Sequence, residues 1–168
     1  MSLTMAEINI RRAKQCDLPF IVQLLADDTI GTTREDSTMP PNAFYLKAWG
    51  DISKNNNAEI FVVEDGSQII GMAQIDYLQY LTYQGGCRAQ IEGVRIHKEY
   101  RNKGVGKKLF NFLIDKAIQR GCHLVQLTTD KTRPDALKFY ESLGFVQSHI
   151  GMKLHFKKNK QVKNEQNQ

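Results

Sequence analysis

Apolar and polar positions repeat with a period of two in some stretches and of three to four in others, and the switches divide the chain into elements. From Glu7, EINIRRA sets Ile8 and Ile10 against polar neighbours, which predicts a half-buried strand. Asp17 stands where a helix N-cap belongs, with Pro19 in the first turn and Phe20, Ile21, Leu24 and Leu25 as the apolar set; this helix is expected to close between Thr29 and Gly31. GTTREDSTMPP, from Gly31, reads as a mobile polar loop, because Pro40 and Pro41 block helix until the chain has passed them. A second helix is predicted from residue 42 to about residue 53, carrying Phe44, Tyr45, Leu46, Ala48 and Trp49 and ended by the run of asparagines at 55–57.

The middle of the chain is β-rich. IFVVED and QIIGMAQIDYL are joined at Asp65-Gly66, a dipeptide favoured in tight hairpins, and Gly85-Gly86 marks the turn before CRAQIEGVRI. The period then changes: Val105, Leu109, Phe112, Leu113, Lys116 and Ala117 line one helical face, with Gly121 as C-cap. HLVQLTT follows as a buried strand, so the strands on either side of that helix are expected to be parallel neighbours. Pro134 opens a short helix, PDALKFYESLG, closed by Gly144, and FVQSHIGMKLHF alternates as a last strand. The order β-α-α-β-β-β-α-β-α-β predicts an α/β (α+β) domain with a mixed, mostly antiparallel, twisted sheet and helices on both faces.

Composition narrows the class. The chain has 168 residues, 41% hydrophobic and 24% charged, which suits one globular domain; we assign it residues 1–156. Residues 157–168 form a basic tail with almost nothing to bury, expected to be disordered. Four lysines against one glutamate in that tail supply +3 of the net +5, so the body carries only +2. This argues against a nucleic-acid partner, as does the lack of interleaved basic and aromatic residues. No run has membrane-span length and MSLTMAEINIRR lacks a signal-peptide core, so a cytoplasmic protein without membrane association is expected. Cys16, Cys87 and Cys122, and His97, His123, His149 and His155, show no metal-ligand spacing. No metal is expected.

The chemistry concentrates in EGVRIHKEYRNKGVG, residues 92–106. An apolar strand end (Val94, Ile96) leads through a charged bend into a glycine-spaced turn that opens a helix near Val105. A helix N-terminus offers unpaired N–H groups and the positive end of a dipole, which suit an anion. Gly104 and Gly106 allow close backbone approach, and Arg101, Lys103 and Lys107 add positive charge for a ligand with several phosphates. Read alone, the stretch is equally a glycine turn flanked by solvated lysines.

Two motifs, in order, resemble the GNAT superfamily of N-acetyltransferases: R-x-x-G-x-G at Arg101, Gly104 and Gly106, and ALKFYESLGF from Ala136 to Phe145. The resemblance covers most of residues 7–156. It implies acetyl-CoA as acetyl donor, parallel fourth and fifth strands that splay apart, and a pantetheine arm lying in the gap. Cofactor contacts are then expected from Val94, Arg95 and Ile96, and from Asn102, Lys103, Gly104, Val105, Gly106 and Lys107 beside Arg101, with Gly93 at a bulge. Arg133 occupies a position where many members carry a cofactor-holding Asn, so that contact is either absent or charged.

The resemblance also assigns Tyr140 to protonation of the leaving thiolate, its alternative role being packing with Phe139 and Leu143. Glu92 is the candidate base, the alternative being an exposed strand glutamate paired with an Arg. The Val94 N–H is the candidate oxyanion donor. Acidic residues Asp27, Asp28, Glu35 and Asp36, followed by Tyr45 and Trp49, point to a small cationic amine acceptor. Two other readings stay open: a catalytically silent acyl-CoA-binding regulator, and an acetyltransferase acting on a protein or tRNA. A homodimer stays open too.

Overall fold

The computed structural model describes residues 8–27 and 31–156. Two compact units make up the chain, divided between Leu127 and Thr128. In the first, five strands form one sheet in the order β1-β2-β3-β4-β5: β1 Ile8–Arg12, β2 Ala58–Asp65, β3 Gln68–Gln79, β4 Cys87–Ile96 and β5 Cys122–Leu127. The first three pairings are antiparallel and β4–β5 is parallel. The helices are α1 Leu18–Ala26, α2 Gly31–Arg34, α3 Ala43–Lys54, α4 Thr82–Gly85 and α5 Val105–Gln119.

Alternation along β2 sends neighbouring side chains to opposite faces, and each face has its helices. Ile60 and Val62 pack with Met72, Ile21 and Leu24, with Trp49 and Ile52 of α3 against them. On the other face Phe61 meets Phe112 of α5 edge to face, centroids 5.0 Å apart. Leu109, Phe110 and Leu113 are fully buried, so the helix presents the stripe expected of it, widened by Phe110.

Local chemistry sets the element ends. The Asn42 side chain accepts from the N–H groups of Phe44 and Tyr45 at 3.0 and 3.4 Å, capping α3. Asp17 precedes α1 but does not cap it with its side chain. Its carboxylate instead accepts from the Lys14 N–H at 2.7 Å and from both terminal nitrogens of Arg11 at 2.7 and 3.0 Å. Arg11 also donates through Nε to Glu64 at 2.7 Å, tying β1, β2 and the start of α1 together. The Arg11 hydrogen bonds hold the buried Asp17 carboxyl below its ordinary range.

Several expectations are corrected. α1 ends at Ala26, Phe20 is half exposed, and the predicted loop after Gly31 begins with the one-turn α2. The turn at 82–85 is helical in pattern, with Tyr83 and Gln84 in left-handed conformation. In the second unit α6, Pro134–Ser142, forms as expected, but FVQSHIGMKLHF is not a strand. Among the described residues nothing pairs with it, and Val146, Ile150, Met152, Leu154 and Phe156 are all at least 80% exposed. Alternation specifies a face; a strand also needs a neighbour to take its backbone hydrogen bonds. The basic tail at 157–168 lies outside the described residues, as do Asp28 and Thr29.

Candidate active site

The site is built where β4 runs past its partner. Pairing of β4 with β5 extends from Cys87↔Cys122 to Ile91↔Leu127 and stops, leaving residues 92–96 of β4 without a β5 neighbour. On the β3 side, Gln74 faces Glu92 while Met72 faces Arg95, so Gly93 and Val94 together oppose Ala73. This is a β-bulge, and Gly93 takes it at φ 63, a conformation open to glycine. The expected bulge is present, and β4 runs on beyond the end of its parallel pairing with β5.

After β4 the chain turns through residues 97–104 into α5. Asn102 (φ 60) and Gly104 (φ 80) are left-handed, and Gly104 is the N-cap of α5, with no side chain capping the helix. Among the described residues the first-turn N–H groups at Val105, Gly106 and Lys107 have no side-chain acceptor, which fits a docking anion. An added Cβ at Gly104 would meet no atom within 4 Å, so the positive φ and the open space beside it mark this glycine.

The charged residues divide into two groups. Lys103 and Lys107 are exposed, Lys103 with its ammonium 5.5 Å from the Tyr100 ring centroid. Arg101, expected beside the phosphates, donates to the Ile96 carbonyl at 2.9 Å and the Asp27 carbonyl at 3.4 Å, fastening the end of β4 to the end of α1. Arg95 donates to the Val94 carbonyl at 2.8 Å. Two carbonyls of the unpaired β4 segment thus already accept from arginines.

Glu92 is exposed, and its partner is not an arginine: Gln90 donates to its Oε1 at 2.8 Å. Gln126 of β5 donates through its side-chain amide to the Gln90 side-chain oxygen Oε1 at 2.7 Å. Neither glutamine was singled out in the sequence. The i,i+2 spacing of Gln90 and Glu92 on one strand face was readable there; the pairing with Gln126 required the β4–β5 register. In the second unit, Tyr140 packs its ring against Phe139 and Phe145 at 5.6 and 6.2 Å, and Arg133 is the exposed residue before α6.

Residues 19–145 match the sequence profile of the acetyltransferase (GNAT) family. The chain belongs to that family. A solved structure described as a transcriptional regulator from Bacillus halodurans C-125 is 49% identical over 89% of this chain and all of its own, with a TM-score of 0.87. An L-methionine sulfoximine/L-methionine sulfone acetyltransferase of Pseudomonas paraeruginosa is 25% identical, covering 82% of this chain and 79% of the relative. The L-amino acid N-acyltransferase MnaT of Escherichia coli is 24% identical, covering 83% and 80%.

In this GNAT acetyltransferase two residues of the expected acidic rim, Glu35 and Asp36, are engaged by neighbouring side chains, while Asp27 Oδ2 is buried with no hydrogen-bond partner among the described residues. The Tyr45 hydroxyl donates to Glu35 at 2.8 Å and accepts from the Asp36 N–H at 3.0 Å; Asp36 in turn accepts from Thr38 and Asn42. Trp49 is packed against the core rather than displayed. Among the described residues no three His, Cys, Asp or Glu side chains gather as a metal site, and no helix is long and apolar enough to cross a membrane.

Proposed function

We propose that this GNAT enzyme moves the acetyl group of acetyl-CoA directly onto the primary amine of a small, amino-acid-like acceptor. The observation that carries the proposal is the uncapped N-terminus of α5, with left-handed Gly104 at its mouth, directly after the segment of β4 that β5 leaves unpaired. The names of the Pseudomonas and Escherichia relatives support an amino acid as acceptor. We read residues 1–156 as one cytoplasmic acetyltransferase domain.

Acetyl-CoA would supply the activated acyl group as a thioester. Backbone N–H groups at 102–107 would hold its diphosphate, with Lys103 and Lys107 as counter-charges, Arg133 as a further cationic contact, and Val94, Arg95 and Ile96 along the pantetheine. A Lys-like amine, with a reference pKa of about 10.4, is protonated at neutral pH, so Glu92 takes its proton directly or through a water. The neutral amine nitrogen would bond to the thioester carbon while the Val94 N–H stabilised the oxyanion, and the nitrogen's second proton would pass to water. As the C–S bond broke, Tyr140 would give its proton to the departing sulfur and recover one from solvent.

Thiol release from acetyl-CoA across L-methionine sulfone, other L-amino acids, spermidine and an aminoglycoside tests the reading. Fastest turnover on an amino acid is expected; no thiol release with any amine would overturn it. The name of the Bacillus halodurans relative keeps a second reading in view, a silent acyl-CoA-binding regulator, which requires acetyl-CoA binding without turnover.

A further inference from the structure

We propose that Gln126 and Gln90 form a two-step amide relay that positions Glu92 as the base. The inference rests on the assignment of Glu92 just given and adds the residues that aim it. The three side chains lie on one sheet face: Gln90 faces Gln126 across β4–β5, and Glu92 follows Gln90 by two positions.

The direction of the relay follows from chemistry. A carboxylate can only accept hydrogen bonds, so the group facing Glu92 must be the Gln90 NH2. The Gln90 carbonyl oxygen is then turned to β5, where it can only accept, and Gln126 must present its own NH2. The contacts at 2.8 and 2.7 Å have this polarity. Reversing either amide would set oxygen against oxygen or leave two donors facing each other.

The same face carries a second carboxylate on β3, with a different fate. Gln74, opposite Glu92, donates to both oxygens of Asp76 at 3.1 and 3.0 Å. Both Asp76 oxygens are thereby occupied. Among the described residues Glu92 is held through Oε1 alone, and Oε2 receives no hydrogen bond. The relay therefore fixes an exposed, flexible side chain by one oxygen and leaves the other for the proton of an acceptor amine or water. Gln90 and Gln126 are positioning residues, since neither needs to touch a reacting atom.

The test compares E92Q, Q90L, Q126L and Q126E by steady-state kinetics with acetyl-CoA and the fastest acceptor of the amine panel. The Q126E carboxylate would accept from the Gln90 NH2 and turn it away from Glu92. Since a positioned base contributes about a hundredfold or more, Q90L, Q126L and Q126E are each expected to lower kcat about tenfold. The KM for acetyl-CoA should stay within about twofold of wild type, because the diphosphate contacts are untouched. In the E92Q background, Q126L should have no further effect on kcat. A merely structural role would make the losses multiply, and that result overturns the relay.

Full turnover in E92Q overturns the base assignment, and the relay with it. Loss in E92Q with wild-type turnover in Q90L and Q126L overturns the relay alone. A crystal structure of Q126L provides a readout independent of activity: the Gln90–Glu92 contact should be lost, and an unchanged contact overturns the proposal.

Discussion

Gly104 shows how much a single residue can decide. Its φ of 80 lies in a region where an L side chain costs about 1 kcal/mol, and the mouth of α5 is open around it. Gly104→Ala is therefore expected to lower stability by only about 1 kcal/mol in chemical denaturation. It should weaken acetyl-CoA binding by about tenfold or more in a calorimetric titration, since the added methyl occupies the ligand's approach. Unchanged affinity would detach the glycine from the cofactor. Tyr140→Phe keeps the ring that packs on Phe139 and Phe145 but removes the hydroxyl. Stopped-time assays should give a kcat reduced by about a hundredfold with little change in acetyl-CoA affinity, and equal turnover would exclude Tyr140 from proton transfer.

Between elements, paired groups carry the argument. Asp17 is buried and held by Arg11, so Asp17→Asn should cost about 2 kcal/mol at pH 7, read by urea unfolding. A carboxyl held below its ordinary range contributes stability that is complete above the unfolded-state value, about 3.9, and is lost as pH falls through the folded one. The gap between wild type and variant should accordingly be constant from pH 5 to 8 and shrink below about pH 4. Where β4 and β5 begin, the thiols of Cys87 and Cys122 lie 3.1 Å apart, and burial with the Cys87 hydrogen bond pushes the Cys122 thiol up to about 12. Only the thiolate alkylates, so at pH 8 iodoacetamide should modify exposed Cys16 long before Cys122. Rapid loss of the Cys122 thiol would contradict its burial.

Legibility in the sequence divides along the same lines. The glycine turn, the stripe of α5 and the Asp65-Gly66 hairpin are local patterns, and local patterns were sufficient to place them. Phe110 was missed because it widens a stripe rather than starting one. The last strand failed because pairing depends on a partner distant in the chain. The charge of Arg101 was read as a ligand contact; that its guanidinium also reaches the carbonyls of Ile96 and Asp27 is a detail that charge and spacing do not contain. The relay of Gln126 and Gln90 needed the β4–β5 register before it could be seen.

For the molecule as a whole, the sheet matters as a frame: antiparallel strands β1 to β4 end on the bulged β4, whose residues 92–96 have no β5 partner. The glycine turn, the bulge and Glu92 are consecutive along that one strand and its exit, so the groups we propose for the cofactor and the base, Arg133 and Tyr140 apart, fall within about fifteen residues. The measurement that tests this account most directly is a crystal structure of the protein with acetyl-CoA. The diphosphate oxygens should lie about 3 Å from main-chain nitrogens within residues 102–107, with the pantetheine beside 94–96. Acetyl-CoA bound elsewhere, or its diphosphate held by side chains away from the α5 N-terminus, would contradict the account.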